Sequence, residues 1–251
     1  MIRKHRQDGI LEILKRQHYA TVKELCEALH YSPASIYRDI EHLASLGLVK
    51  RSYGGVELAK RTRMPALPQR YDFMKKEKRH LGRAAAALVC DGDTVFIDGS
   101  TTAESMGQFL TEKKDLRVIT NNLRLALYLG EYDIEVICLG GTVREKPSML
   151  AGSITATNAR HLFADKAFFS TGYFSPHGRA GTDSEVYREL HAIMLENANK
   201  SYYLADHSKL SNNLPHIGFS FGELSGIICD YPFDEEVKAA FPDTEFIFVE
   251  N

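Results

Sequence analysis

A run of small polar residues follows the apolar stretch TVFI: Asp98, Gly99, Ser100, Thr101 and Thr102. The apolar stretch predicts a buried strand, and the small residues after it predict a turn that opens a helix. Such a turn points backbone amides at an anion, and its glycine lets the anion approach the main chain. The run therefore predicts a cradle for a phosphate group. The alternative is a capped helix start in which Thr101 and Glu104 form a capping box.

Similar polar residues adjoin other apolar runs farther along the chain. Asn121 follows LRVIT, the pair Gly140 and Gly141 follows IEVICLG, Asp183 and Glu185 precede a long helical pattern, and Lys209 lies in ADHSKL. Carboxyl ends of parallel strands meet at one edge of a sheet, so we expect these residues to line one ligand site. Taken singly, each has a plainer interpretation as a turn, a loop or a solvated lysine.

The elements that must position these residues form an α/β sheet. From Asp93 onward, seven apolar runs alternate with helical patterns: TVFID, LRVIT, IEVICLG, KAFFST, KSYYLAD, LSGIICD and TEFIFV. Runs that are apolar almost throughout are typical of strands buried on both faces. The pattern predicts a mainly parallel sheet with helices on both sides.

The first sixty residues predict a different module. TVKE fits a capping box at Thr21, and SP at Ser32 and Pro33 fits the start of another helix, which Gly47 ends. With an earlier helix around Ile10, this gives three helices with a tight turn before the third. Two short apolar segments around Tyr53-Gly54-Gly55 follow as a hairpin. We predict a winged helix-turn-helix that binds double-stranded DNA; the alternative is a plain three-helix domain.

Within this module, we expect the first turns of the third helix to enter the major groove. The residues concerned are Ser32, Ala34, Ser35, Tyr37 and Arg38. Arg38 can contact a guanine, clamp a phosphate or pair with Asp39 or Glu41. We expect phosphate contacts from Lys50 and Arg51 on the wing, and from three cations ahead of the first helix: Arg3, Lys4 and Arg6.

Charge and composition narrow the classes of function. The net charge of −2 hides an asymmetry, since residues 1–80 contain 17 Lys and Arg against 9 Asp and Glu, leaving 14 and 24 for the rest. The N-terminal part is therefore expected to meet a polyanion. No apolar run is long enough for a membrane helix, and the N-terminus lacks the apolar core of a signal peptide.

Cysteine and histidine spacing argues against metal and disulfide frameworks. The four cysteines are Cys26, Cys90, Cys138 and Cys229, which form no C-x-x-C pair, and the ten histidines show no metal-ligand spacing. We expect scattered thiols in a reducing cytoplasm, histidines that are surface or core residues, and no metal or cofactor.

The segment TVKELCEALHYSPASIYRDIEHLASLGLVKRSYGG resembles the N-terminal domain of the DeoR/GlpR family of bacterial transcriptional regulators. Matching positions include Ile36, Arg38, Asp39, Gly54 and Gly55. Ser35 and Tyr37 stand where the family has a threonine and the first arginine of its R-R-D motif.

The remainder resembles the sensor domain of the same family, whose fold is similar to ribose-5-phosphate isomerase and glucosamine-6-phosphate deaminase. The shared pattern is DGSTT, NN, GG with Gly152 beyond it, DKAFFS and LADxSKL. The resemblance implies that residues 98–102 hold a phosphate or a sugar hydroxyl. It further implies that the rest of the pocket is lined by Asn121, Gly140, Gly141, Asp183, Glu185 and Lys209. Arg188 lies where the family often has a lysine.

Together these features predict three segments: a DNA-binding domain over 1–58, a linker over 59–70 and an effector-sensing, oligomerising domain over 71–251. The resemblance implies a repressor of a sugar-metabolism operon that operates as a dimer or tetramer and is released or modulated by a phosphorylated sugar, with corepression as the alternative to release. One alternative is an isomerase or deaminase that uses the TDSE carboxylates and Lys209. Another is a regulator whose effector carries no phosphate. We assign no catalytic residue.

Overall fold

The computed structural model describes residues 2–17, 19–45, 49–52, 54–58, 67–145, 148–182, 185–210 and 216–250. It divides into two compact units, Met1–Pro65 and Ala66–Asn251. The predicted helix end at Gly47, the turn residue Tyr53 and linker residues 59–66 lie outside the described residues. Among the described residues, no helix combines the length and apolar character needed to cross a membrane.

The first unit is a winged helix-turn-helix, as predicted. Its elements are α1 (Ile2–Gln17), β1 (Tyr19–Thr21), α2 (Val22–Leu29), α3 (Pro33–Ser45), β2 (Val49–Ser52) and β3 (Gly55–Leu58). The strands form an antiparallel sheet in the order β1-β3-β2. The predicted capping box is confirmed, because Thr21 Oγ1 accepts from the amide of Glu24 at 3.2 Å and the Glu24 carboxylate accepts from the amide of Thr21 at 2.7 Å. Apolar side chains from all three helices and the sheet form the core of this unit.

Asp39 on α3 ties the third helix to the first. It is fully buried and accepts hydrogen bonds from Arg6 Nε and, at 2.9 Å, from Gln7 Nε2. The Arg6 guanidinium also lies 4.8 Å from the centre of the Tyr31 ring. The prediction that Arg6 lies ahead of the first helix is wrong, whereas its contact with DNA phosphate stays a prediction. Helix α1 already includes it, together with Arg3 and Lys4, whose side chains are outside the described ones.

The second unit begins with two helices and continues as an α/β fold. Its helices are α4 (Leu67–Asp72), α5 (Lys75–Ala87), α6 (Thr101–Glu104), α7 (Leu123–Leu129), α8 (Ser153–Arg160), α9 (Glu185–Glu196) and α10 (Glu235–Ala240). Its strands are β4 (Thr94–Ile97), β5 (Arg117–Thr120), β6 (Glu135–Cys138), β7 (Thr142–Glu145), β8 (Met149–Ala151), β9 (Ala164–Phe169), β10 (Tyr173–Phe174), β11 (Arg179–Thr182), β12 (Ala198–Ala205), β13 (His216–Ser220), β14 (Gly226–Cys229) and β15 (Glu245–Phe248).

All seven predicted strands lie in one parallel sheet, in the order β15-β14-β12-β9-β4-β5-β6. The chain starts at β4, adds β5 and β6 on one side, and then returns to add β9, β12, β14 and β15 on the other. The direction of winding therefore reverses between β4 and β9. Ligands of open α/β sheets bind at such a reversal, beyond the carboxyl ends of the strands.

Both faces of this sheet are covered, which explains why its central strands are largely apolar. Side chains alternate between faces, so Phe96 of β4 joins one core while Val95 and Ile97 join the other. Helices α8 and α9 cover the face of Phe96, and α5, α6 and α7 cover the opposite face.

Three features of this unit differ from the sequence-based expectation. The sequence predicts a single helix from Tyr71 through the alanine-rich stretch, but α4 and α5 are separate because Met74 adopts a left-handed conformation with φ of 55°. The sequence predicts neither the hairpin of β7 and β8 nor the small sheet β10-β11-β13. Helix α4 begins at Leu67, inside the segment expected to be linker.

Candidate functional site

The predicted phosphate cradle lies at the reversal of the sheet. Strand β4 ends at Ile97, and Ser100 caps α6 by accepting a hydrogen bond from the amide of Ala103 at 3.1 Å. Thr101 and Thr102, the first two residues of α6, are buried. The turn is therefore both a capped helix start and a polar lining at the carboxyl edge of the sheet. The predicted capping box of Thr101 and Glu104 is wrong, because Ser100 is the cap and the Glu104 carboxylate accepts from Tyr71 and Asn122 instead.

Asp98 fixes the shape of this turn from within. One carboxylate oxygen accepts from the amide and, at 2.5 Å, from the hydroxyl of Ser100. The other accepts from the amide of Ser170 at 3.3 Å and is 3.0 Å from Nε2 of His191. His191 is buried on α9, and its ring stacks on Phe169 at 5.1 Å. Both oxygens of Asp98 thus already have partners in the protein, which suits a residue that positions the turn.

Lys209, which is distant from the cradle along the chain, contacts it through Thr102. It lies in a 3-10 turn after β12, with only 12 % of its side chain exposed. Its amine donates to Thr102 Oγ1 at 2.8 Å and to Ser170 Oγ at 2.5 Å, and lies 3.9 Å from Asp206 Oδ2. Burial lowers the pKa of the Lys209 amine, while the negative charges of Asp206 and Asp98 act against that shift. The structure thus brings a buried amine to the edge of the predicted cradle.

Two further buried cations, one of which acts on this amine, were not recognised in the sequence. Arg70 on α4 is buried, and its positive charge contributes to the lowered pKa of Lys209. Lys78 on α5 is also buried and donates to the carbonyl of Arg70 at 2.5 Å. Lys209 and Arg70 thus bring two buried positive charges from separate elements to this edge of the sheet, which suits an anion. In the sequence, Arg70 and Lys78 belong to one basic run, in which Arg70 falls in the predicted linker and Lys78 in the predicted helix.

Two buried acceptors at the same edge lack a donor. The amide nitrogen of Asn121 donates to the carbonyl of Leu150 at 2.9 Å, but its Oδ1 accepts no hydrogen bond from the described residues. The same is true of Oδ2 of Asp206, which is fully buried. Buried polar atoms are nearly always paired in folded proteins. Donors on a ligand, such as sugar hydroxyls, would supply what these atoms lack.

The remaining predicted residues are less closely tied to this cluster. Gly140 and Gly141 have φ of 68° and 118°, and Thr155 Oγ1 holds the carbonyl of Gly140 at 2.7 Å. Glu185 is exposed at the start of α9, and no hydrogen bond joins it to the cluster in the described part of the chain. Asp183 lies outside the described residues. The roles of all four as ligand contacts remain predictions.

Gly99 allows Met149 to pack against the cradle, which gives a testable constraint. A Cβ atom at position 99 would lie 2.6 Å from Met149 Cγ and 2.8 Å from its Cε. We expect Gly99→Ala to lower the free energy of unfolding by about 1–3 kcal/mol through overpacking. Because the clash is with one side chain, adding Met149→Ala should remove it. Urea unfolding would then give a double variant less destabilised than the sum of the single ones, and strict additivity would contradict this account.

His207 gives the same region a pH dependence. Its Nδ1 lies 2.8 Å from Asp230 Oδ2, and this hydrogen bond, with the charges of Asp230, Asp206 and Glu77, raises the pKa of His207 above its ordinary value of 6.5 despite partial burial. The protonated form is thus favoured in the folded state. Its contribution to stability is complete below about pH 6.5 and is lost as the pH rises through the folded pKa. We expect His207→Asn to flatten this decline in urea unfolding between pH 6 and 9; an unchanged profile would contradict the assignment.

The helix expected to enter the major groove presents a polar face to solvent. Ser32, Ala34, Tyr37 and Arg38 are exposed and Ser35 is half-buried, whereas Ile36, Ile40 and Leu43 face the core. Arg38 Nε donates to the carbonyl of Ala34 at 3.2 Å. On the wing, Lys50 pairs with Glu57 at 3.5 Å and Arg51 with Glu41 at 3.4 Å. These exposed pairs are weak, so the cations are available for exchange with phosphate.

In the ranges that the structure describes, no group of three or more His, Cys, Asp or Glu side chains is arranged to hold a metal ion.

Comparison with known proteins agrees with this arrangement. Residues 6–62 match the DeoR-like helix-turn-helix domain, and residues 74–231 match the DeoR C terminal sensor domain. Over 247 residues, the chain is 30% identical to the glycerol-3-phosphate regulon repressor of Escherichia coli strain K12, with 95% of each chain covered. Over 214 residues, it is 31% identical to the lactose phosphotransferase system repressor of Lactococcus lactis subsp. lactis, covering 83% of this chain and 84% of that protein.

Among solved structures, ribose 5 phosphate isomerase A from Neisseria gonorrhoeae has a TM-score of 0.40 at 14% identity, covering 55% of this chain and 54% of that one. This is a likeness of fold alone. The two family matches together span most of the sequence, in the order that the two units follow. The chain belongs to the DeoR family of transcriptional regulators.

Proposed function

We propose that this protein is a transcriptional repressor that binds operator DNA through its winged helix and is released by a phosphorylated sugar bound in the second unit. The observation that carries the effector class is Lys209, a buried amine on Thr102 and Ser170 at the reversal of the sheet. A phosphate placed there would meet the amine and the start of α6, with Arg70 nearby. Asn121 and Asp206 would accept from sugar hydroxyls.

The names of the relatives support a sugar-related role. One represses a glycerol-3-phosphate regulon and the other a lactose phosphotransferase system. Both are repressors, which favours a sensor over a sugar-phosphate isomerase or deaminase. We therefore propose repression with effector-driven release, with no catalytic step.

A cluster of polar contacts supplies a route from this site to the start of the second unit. The hydroxyl of Tyr71 on α4 donates to Glu104 Oε2 at 2.8 Å and lies 3.1 Å from Ser148 Oγ. The same Glu104 oxygen accepts from Asn122 Nδ2 at 2.8 Å, and the Arg124 guanidinium lies 4.2 Å from the centre of the Tyr71 ring. Burial and Glu104 raise the pKa of Tyr71 to about 12, so its hydroxyl remains a donor at neutral pH.

These contacts join α4 to the elements that carry the effector residues. Glu104 ends α6, two residues after Thr102, and Asn122 follows Asn121. Helix α4 is the first element after the segment that leads from the winged helix. We propose that effector binding shifts α6 and thereby changes the hydrogen bond between Tyr71 and Glu104. An effector that prefers one arrangement changes DNA affinity by that preference alone, commonly about 1–3 kcal/mol.

Oligomerisation belongs to the same proposal. A single winged helix offers few contacts, so tight operator binding calls for at least two copies on matched half-sites. We propose that the second unit assembles as a dimer or tetramer.

A thermal-shift screen of the purified protein tests the effector class. The panel pairs each sugar phosphate with the same sugar unphosphorylated. A ligand at a hundred times its Kd stabilises the folded state by roughly 2.7 kcal/mol, which raises the melting temperature visibly. We expect only phosphorylated members to do so. Stabilisation by an unphosphorylated sugar alone would replace the proposed effector, and turnover of a bound phosphosugar would restore the enzyme alternative.

A further inference from the structure

The basic residues of this chain are concentrated after the winged helix rather than within it. Residues 1–58 contain nine Lys and Arg against seven Asp and Glu. Residues 59–83 contain nine Lys and Arg against two acidic residues. The excess of positive charge counted over residues 1–80 therefore lies mostly after residue 58. Part of that charge, Arg70 and Lys78, is buried within the second unit, so the exposed cations need a separate explanation.

Helix α5 displays four of these cations on its surface: Lys75, Lys76, Arg79 and Arg83. We call them the α5 basic face. Lys75, Arg79 and Arg83 recur every four residues, so they form a line along the helix of about 12 Å at a rise of 1.5 Å per residue. Duplex DNA carries about one negative charge per 1.7 Å of its axis, so a line of this length can meet several phosphates.

The α5 basic face has no carboxylate partner in the parts of the chain that the structure describes. Arg83 lies over the ring of Phe109 at 5.2 Å, an aromatic contact that leaves its charge uncompensated. Elsewhere in this unit some exposed cations pair, as Arg160 does with Glu189 at 2.6 Å and Lys238 with Glu235 at 2.7 Å. Single exposed cations such as Arg188 and Lys200 have no carboxylate partner in the described residues, so what distinguishes α5 is that four such cations lie on one helix.

Helix stability does not explain these residues. Lys75 and Lys76 occupy the first turn of α5, where the helix dipole disfavours cations by about 0.3–1 kcal/mol each. Met74, which precedes them, provides no side-chain cap. Cations at this end of the helix weaken it slightly, so their presence calls for a partner outside the chain.

We propose that the α5 basic face contacts the phosphates of double-stranded DNA, as a second and sequence-independent contact beside the winged helix. The inference rests on the proposed function, in that this chain binds DNA. Only 16 residues separate the end of β3 from the start of α5, and they include Lys60, Arg61 and Arg63. The α5 basic face then supplies affinity and salt dependence, while the winged helix supplies sequence recognition.

Binding of the full-length protein to a long duplex of random sequence, over a series of salt concentrations, tests this surface. The variant is Lys75→Gln with Arg79→Gln. Its matched control is Arg160→Gln with Lys238→Gln, which changes the net charge equally on the same unit. We expect the α5 variant to reduce the slope of log affinity against log salt by roughly two. At about 0.1 M salt its affinity should fall roughly 10- to 60-fold. The control should stay within about twofold of the wild type.

Each other result would overturn the inference. If the α5 variant had the same slope of log affinity against log salt as the wild type, the α5 basic face would not contact DNA. An equal loss in the control would reduce it to an effect of net charge. If the variant instead lost binding to anionic lipid vesicles while its DNA slope stayed constant, the partner would be a membrane. Arg38→Ala separates this proposal from the proposed function. If Arg38→Ala loses operator binding while the α5 variant binds DNA as the wild type does, the winged helix is the DNA-binding surface and only the α5 contact is refuted. A wild type that binds no duplex would refute both.

Discussion

Replacing Lys209 with methionine is expected to weaken binding of a phosphorylated sugar by roughly 10- to 150-fold. The variant keeps the length of the side chain and removes its charge and its donors to Thr102 and Ser170. A hydrogen bond to a charged group contributes about 1.5–3 kcal/mol, which converts to that loss of affinity. The variant also leaves the fully buried Asp206 without the cation that lies 3.9 Å from it, so urea unfolding of the same variant is measured to show that the second unit is folded under the conditions of the titration.

Isothermal titration with the best phosphosugar of the screen measures this effect. Lys200→Met is the matched control, because Lys200 is exposed on β12 of the same sheet and has no part in the proposed site. The control should bind as the wild type does. If Lys209→Met retained wild-type affinity for the phosphosugar, the anion would not lie against this amine, and the proposed site would have to be abandoned.

The second large effect is expected in the DNA-binding unit. Asp39→Ala leaves the guanidinium of Arg6, only 13% exposed, without its carboxylate. Removing one partner of a buried ion pair costs about 3–5 kcal/mol. A unit of this size has a small core and little stability in reserve, so we expect it to unfold largely at 37 °C and operator binding to be lost. Urea unfolding of the full chain should show an early transition that the wild type lacks.

A double variant separates the buried charge from other causes. Asp39→Ala combined with Arg6→Met removes both charges, so it should recover part of the lost stability. The exposed neighbour Glu41 serves as control, since Glu41→Ala breaks only its weak surface pair with Arg51 and should cost less than about 1 kcal/mol. A double variant less stable than Asp39→Ala alone would show that the ion pair is not the reason for the loss.

The sheet was predictable because burial on both faces marks a strand directly in the sequence. TVFI and RVIT are almost entirely apolar, as expected of strands buried on both faces, and neither is an edge strand of the sheet. The order of parallel strands then brings together loops that are distant along the chain. For this reason a contact between Thr102 and Lys209, which are separated by 107 positions, could be predicted from the sequence.

The sequence could not predict which polar side chains point inward. Arg70 and Lys78 lie in a basic run, and nothing in that run distinguishes them from the exposed Lys75 and Arg79. His191 was read as a surface or core residue. It is a buried core residue, but its bond to Asp98 depends on how α9 packs against β9. The break at Met74 needs a left-handed residue that is rare outside glycine, so no local signal announced it.

The measurement that tests the central proposal most directly is operator affinity with and without the phosphosugar chosen by the screen. Anisotropy titrations with the DNA upstream of the regulated genes give both values. We predict that saturating phosphosugar raises the operator Kd by roughly 5- to 150-fold, while the same unphosphorylated sugar leaves it unchanged. An operator Kd that does not change when the phosphosugar saturates the second unit would contradict the account.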